Sequence, residues 1–139
     1  MAIMTIDRGP TAAQALGADA PVNNMSLTIQ DRVGPIEIRA VLEIDNTGAA
    51  IVAPDSASIA LNGVAIAATI RTHSIGAAGR VNLALEHFVE APAVGDIFTV
   101  RVTGTAQAGH QLLAGASALS IRALNPNRAV AAGISAATA

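Results

Sequence analysis

The chain of 139 residues has no cysteine, no tryptophan, no tyrosine and no lysine, and only two phenylalanines, Phe88 and Phe98. Each absence removes a class of chemistry. Without cysteine there is no disulfide scaffold, no thiolate metal site and no thiol nucleophile. Without Trp or Tyr there is no platform on which to stack sugar rings or unpaired bases. The basic residues are all Arg and scattered, and the net charge is -2, which argues against an electrostatic nucleic-acid binder. Two readings fit the missing lysine: selection for bidentate Arg pairing, or the codon bias of a GC-rich genome, which also accounts for the abundant alanine. Long apolar runs are missing as well. The uncharged stretches are short and rich in Ala and Gly, below the roughly 20 residues of a membrane-spanning helix. The opening MAIMTIDRGP carries an acid and no basic region before an apolar block, so no secretory signal is expected. Asn24-Met25-Ser26 fits a glycosylation sequon, which without an export signal has no use.

What the chain does have is alternation. Met25, Leu27 and Ile29 alternate with Ser26, Thr28 and Gln30. After Gly34-Pro35, Ile36, Ile38, Ala40, Leu42 and Ile44 alternate with Glu37, Arg39, Val41 and Glu43, the pattern of a half-buried strand. Asp45-Asn46-Thr47-Gly48 and Ala53-Pro54-Asp55 are turn sequences. Asn62-Gly63 predicts a two-residue type I′ hairpin, because both central residues need positive φ. That loop pairs Leu61 with Val64 and Ile59 with Ile66, placing four apolar residues on one face. Past the Gly76–Gly79 loop, Val81, Leu83, Leu85, His87 and Val89 alternate with Asn82, Ala84, Glu86, Phe88 and Glu90. The short link Ala91-Pro92-Ala93-Val94-Gly95 predicts antiparallel pairing with the next strand, which turns Phe98, Val100 and Val102 one way and Thr99 and Arg101 the other. The pattern then lapses until Leu119 and Ile121. The expected core face is therefore Ile36, Ile38, Leu42, Ile44, Ile59, Leu61, Val64, Ile66, Val81, Leu83, Leu85, Phe98, Val100, Val102, Leu119 and Ile121.

Strands at this spacing, with turns between them and no strong amphipathic helix, predict an all-β antiparallel sandwich, a jelly roll of about eight or nine strands. Three segments are expected. Residues 1–24 form an irregular arm, with one helical turn at Thr11–Leu16. Residues 25–124 form the sandwich, and residues 125–139 form an Ala-rich tail, helical or a second arm. A sandwich so rich in alanine and poor in aromatics is expected to have a thin core and to complete its burial by self-association.

No catalytic constellation is legible. His73, His87 and His110 are far apart, with no ligand partner at motif spacing, and His87 reads as a hydrogen-bonded core or interface residue. Glu37, Glu43, Glu86 and Glu90 fall on outer faces rather than flanking a cleft. No serine sits in a nucleophile elbow, and Gly76-Ala-Ala-Gly79-Arg80 lacks the ending of a phosphate loop. We expect no enzyme, no cofactor, no metal, and neither nucleic acid nor membrane as partner. The loop carrying Thr103, Gly104, Thr105, Gln107, His110 and Gln111 is the expected contact tip, with Thr72–Ile75 and Gly76–Arg80 beside it.

The layout of Ile59-Ala-Leu-Asn-Gly63, the strand ending at Phe88-Val-Glu90, Val94-Gly-Asp-Ile-Phe-Thr-Val-Arg-Val102 and Ala118-Leu-Ser-Ile-Arg-Ala-Leu124 resembles the complement globular-head and tumour-necrosis-factor-like jelly rolls. More narrowly, it resembles the small versions found in bacteriophage and gene-transfer-agent particles, where a Val-Gly-Asp turn opens a strand and a Leu-Ser-Ile strand closes the domain. The likeness spans about half of the chain, and the chain departs from it in lacking the aromatics that fill such trimer cores. The resemblance implies a homotrimeric virion surface component made in the host cytoplasm: a capsid decoration (cement) protein or head-spike component bound to the major capsid protein or another virion subunit. The N-terminal arm would order on the shell. The alternatives are a receptor- or glycan-binding adhesin domain and a tail or baseplate subunit.

Overall fold

In the computed structural model, which describes residues 5–30, 34–51, 53–124 and 134–136, the alternating segments form two antiparallel sheets packed as a jelly-roll sandwich. In chain order the described strands are β1 (Thr5–Arg8), β2 (Gln14–Ala15), β3 (Ala20–Ile29), β4 (Ile36–Asn46), β5 (Asp55–Leu61), β6 (Val64–Ala65), β7 (Arg71–His73), β8 (Gly79–Val89), β9 (Ile97–Thr103), β10 (His110–Leu112), β11 (Ala118–Ala123) and β12 (Ile134–Ala136). The first sheet is built around β4, which pairs along its whole length with β8. On its other side β4 pairs with β11 and β10, and these carry β1 and β2 outside them. The second sheet runs β12, β3, β9, β5, with β6 and β7 both on the far side of β5.

Between the sheets lies an aliphatic core. Ile36, Ile38, Leu42, Ile44, Ile59, Val81, Leu83, Leu85, Phe98, Val100, Val102, Leu119 and Ile121 all lie on it at 8% exposure or less. Phe98 is its one aromatic among the described residues; Phe88 faces out at 55% exposure. The rest of the buried core is Ile, Leu, Val, Ala and Met25. Leu16, Val22, Ile75 and Leu112 join it from segments without alternation, where the sequence offered no period to follow.

Four expectations are corrected. Within the expected arm of residues 1–24, the described residues 5–24 are not separate from the sandwich. Within the described part, β1 pairs with β11, β2 pairs with β10 and β3 begins at Ala20, while Leu16 and Val22 are buried. The helical turn at Thr11–Leu16 is absent: Gln14 is in strand, and its side chain donates to the Pro21 carbonyl and accepts from the Asn23 N–H. Propensity favoured a turn of helix, but edge strands β10 and β11 offer backbone partners and the core offers a place for Leu16. Second, β8 does not pair with β9. The link 91–95 crosses from one sheet to the other, because Gly95 (φ 94°) donates to the Ile29 carbonyl and delivers β9 beside β3. Third, Val64 is 72% exposed, and Leu61 and Ile66 are only half-buried. The hairpin register is as the turn demands, with Leu61 opposite Val64 and the Ile66 N–H donating to the Ile59 carbonyl. The strand stops after two residues, however, because Thr69 turns inward. Its hydroxyl lies 2.9 Å from the Ile59 nitrogen and donates to the Ile66 carbonyl, so the turn end projects beyond the sheet with nothing over Val64. Fourth, the expected tail of residues 125–139 lies outside the described residues except for β12, which is strand rather than helix.

The Asn62-Gly63 turn has φ values of 51° and 86°. It is fastened to the Val94-Gly95-Asp96 turn: Asn62 Oδ1 accepts the Ile97 N–H at 2.8 Å, and Asn62 Nδ2 donates to Asp96 Oδ1 at 3.2 Å. Asp96 Oδ2 in turn accepts the Ala93 N–H. Two turn signals distant in sequence thus form one latch. Replacing Asn62 with Ala, which tolerates positive φ poorly and removes both bonds, is expected to cost about 1–3 kcal/mol in urea unfolding. Asn62→Gly keeps the backbone freedom and loses only the bonds, so it falls between wild type and Asn62→Ala.

Candidate functional site

The loop expected to be a contact tip is folded into the end of the sandwich. Thr103 Oγ1 and the Gly104 N–H both donate to the Gly17 carbonyl, at 3.1 and 2.9 Å. Gln107 Nε2 donates to Asn46 Oδ1 and to the Ala49 carbonyl, and Asn46, itself fully buried, donates to the carbonyls of Ala49 and Gly76. His110 is buried at 1% exposure, while Thr103, Gly104, Thr105, Gln107 and Gln111 are half-buried. The sequence reading makes this loop a contact tip; in the structure Thr103, Gln107 and His110 pair with the backbone and with buried polar side chains.

At the centre of this knot His110 meets Asp55, and both side chains are at 0% exposure. His110 Nδ1 donates to the Thr105 carbonyl at 2.6 Å, and Nε2 shares a hydrogen bond of 2.9 Å with Asp55 Oδ2. The contact joins β10 of one sheet to β5 of the other. Gly104 makes it possible. A Cβ at that position would come within 2.5 Å of Asp55 Oδ1 and 2.9 Å of His110 Cε1. Through the Asp55–His110 contact the two sheets are linked by buried side chains. Neither partner sits in a sequence motif; only the topology brings residues 55 apart together. Among the described residues no group of three or more His, Asp or Glu gathers where a metal could bind. His87 lies half-buried on the inner face of β8 opposite Ile38.

The surface left available is the outer face of the first sheet. The strand registers place Glu37 between Phe88 and Arg122, Arg39 between Glu86 and Ser120, and Val41 between Ala84 and Ala118. Glu37 bridges Arg39 at 3.7 Å and Arg122 at 3.4 Å, and Arg80 bridges Glu43 at 3.2 Å and Asp45 at 3.5 Å. Glu37 and Glu43 are only 19% and 15% exposed through their side chains, so they are paired partners rather than freely solvated acids. Such half-exposed pairs are worth at most about 1 kcal/mol each. Their effect is to organise the face around its apolar members: Phe88 at 55% exposure, Val41 at 44% and Leu124 at 37%. A shallow depression of about 390 Å³ lies among Val41, Ala84 and Ala118, rimmed by Arg39, Arg71 and Glu86. The second sheet's outer face is different in kind, carrying Ser26, Ser56, Ser58, Thr99 and Thr103 in register, with Ser26 donating to Thr99.

No protein-family model and no curated protein matches the chain. Solved structures do. Murine APRIL is similar with a TM-score of 0.63 at 11% identity, over 88% of this chain and 100% of that one. Rabbit GITRL follows at 0.57 and 19%, over 89% and 95%. The infectious bursal disease virus particle protein gives 0.60 at 8%, over 95% of this chain but 34% of that chain, so the present chain spans about a third of the capsid protein's length. At these identities the likeness is one of fold, and the fold shared by all three is the jelly roll.

Proposed function

We propose that this chain is a non-enzymatic virion structural protein, a capsid decoration or head-spike component that binds the assembled shell as an oligomer, three copies being the number the resemblance implies. The observation that carries the reading is the outer face of the first sheet. It presents Phe88, Val41 and Leu124 among paired charges on a rigid strand scaffold, which is the composition of an interface core with a polar rim. The buried Asp55–His110 pair is absorbed in linking the two sheets, which leaves the chemistry of recognition to the surface. A fold shared with both ligands and a capsid protein supports a structural or binding role without choosing between them.

The test is sedimentation of purified protein with capsid shells that lack it, alongside host envelope polysaccharide. Wild type is expected to pellet with shells. Phe88→Asp should lower shell affinity about tenfold or more, the usual scale for loss of an aromatic anchor, while leaving the circular dichroism spectrum unchanged. Binding to the polysaccharide and not to shells would replace this reading with that of an adhesin. Shell binding that Phe88→Asp leaves untouched would move the contact off this face.

A further inference from the structure

Strand β8 is the longest strand among the described residues with a pairing partner on one side only. β4 takes the hydrogen bonds of that side over eleven paired positions without a bulge; β7 and the turn Ala67–Thr69 lie beside the other side without pairing to it, β7 pairing with β5 of the other sheet, and Arg71 lines the outer depression with Ala84 and Glu86. Edges of this length are usually blunted by proline, charged side chains or a bulge. Residues 79–89, Gly-Arg-Val-Asn-Leu-Ala-Leu-Glu-His-Phe-Val, contain no proline and no bulge, and their charges, Arg80 and Glu86, are of opposite sign. The outward residues of the strand, Arg80, Asn82, Ala84, Glu86 and Phe88, are all exposed.

We infer that β8 pairs with β8 of a second copy, antiparallel about a two-fold axis at Leu83. The occupant is identified by charge and register. A two-fold antiparallel pair centred on Leu83 sets Arg80 opposite Glu86 of the second copy and Glu86 opposite its Arg80, on the outer face. Asn82 falls opposite Ala84, and Val81 opposite Leu85 on the inner face. Directly opposed residues of unlike charge stabilise such a pair, and like charges oppose it. Glu86 is suited to this: among the described residues it has no ion pair of its own, whereas Arg80 already holds Glu43 and Asp45 and keeps a side chain 59% exposed. A shift of the axis by one residue to Ala84 would set Arg80 against Phe88 and Asn82 against Glu86, and would lose both ion pairs. The contact is isologous, so it closes on two copies without forming fibres. It also joins the two outer faces into one continuous surface, which would let two copies engage a repetitive shell together. The inference does not depend on the shell reading, since it concerns only how copies join.

The cysteine-free chain allows a direct test by cross-linking. In the Asn82→Cys, Ala84→Cys double variant, each new thiol faces its opposite number across the two-fold at about 5 Å between Cβ atoms, within reach of a disulfide. Mild oxidation should give a covalent dimer in high yield, whereas either single variant, whose cysteine faces no thiol, should give little. Analytical ultracentrifugation supplies the second measurement. Wild type should have an even number of chains, two, or six if a three-chain unit forms. Glu86→Arg, which sets Arg against Arg at both contacts, should weaken that association about tenfold and halve the mass at limiting concentration. A wild-type monomer or trimer, an unchanged mass for Glu86→Arg, or equal cross-linking in the single and double variants would each overturn the pairing.

Discussion

Truncating His110 to alanine is expected to destabilise the fold by about 3–5 kcal/mol, the cost of leaving a buried acidic partner without its counterpart and of emptying the space of the ring. Asp55 sits at 0% exposure and keeps one hydrogen bond to His110, while its second oxygen, Oδ1, already lacks a partner. Remove the imidazole and the carboxyl group has no donor in the described structure, and the Thr105 carbonyl loses its own as well. Water would have to enter, or the loop from Gly104 to Gly109 would have to open. Urea unfolding monitored by far-ultraviolet circular dichroism measures the loss, and hydrogen exchange of the Gly104 and His110 amides reports the opening. Replacing both members by leucine should cost less than the sum of the two single alanine variants, since no polar group is then stranded. A loss below about 1 kcal/mol for His110→Ala would mean that the contact is incidental to stability. With total stabilities of single domains at about 5–15 kcal/mol, the expected loss is a large fraction of the total.

The second large effect is expected at Phe98. It is 1% exposed on β9, an inner strand of the second sheet, between Leu27 of β3 and Leu61 of β5. Among the described residues it is the one phenyl ring in a core otherwise of Ile, Leu, Val, Ala and Met25. Phe98→Ala is expected to cost about 3–5 kcal/mol through lost transfer energy and the cavity left behind. Phe98→Leu, which keeps most of the volume, should cost no more than about 1.5 kcal/mol. Thermal and urea unfolding of the pair measure the difference. Near-equal losses for the two variants would show that the site collapses around the smaller residue. Phe88, the other phenylalanine, gives the contrast: Phe88→Ala should change stability by about 0.5 kcal/mol or less, as for an exposed residue.

The two phenylalanines show what was legible beforehand and what was not. In β4 and β9 the period of two states which side chains go inward, and Ile36, Ile38, Leu42, Ile44, Phe98, Val100 and Val102 are buried as that period places them. Period-two alternation is a local consequence of the pleat, so it survives in the sequence. Val64 obeyed the same pattern and still ended in solvent, because burial needs a second layer overhead and the hairpin outruns it. The core contributions of Leu16, Val22, Ile75 and Leu112 carry no periodic signal, since they come from very short strands, an irregular stretch of β3 and a loop.

The site is less legible than the fold. Gly104, Gln107 and His110 could be picked out as a polar loop, but polarity does not reveal whether a loop meets water or a buried aspartate 55 residues away. The sequence by itself determined the antiparallel sandwich, the type I′ turn at Asn62-Gly63 and the absence of cysteine, lysine, tyrosine and tryptophan chemistry, because these depend on composition, period two and backbone φ. Only the tertiary structure decided that residues 5–24 belong to both sheets, that the link 91–95 crosses between them, and that Asp55 and His110 fasten them together. Those outcomes depend on which edges are open and what lies opposite, which is a property of the assembled sheets rather than of any one strand.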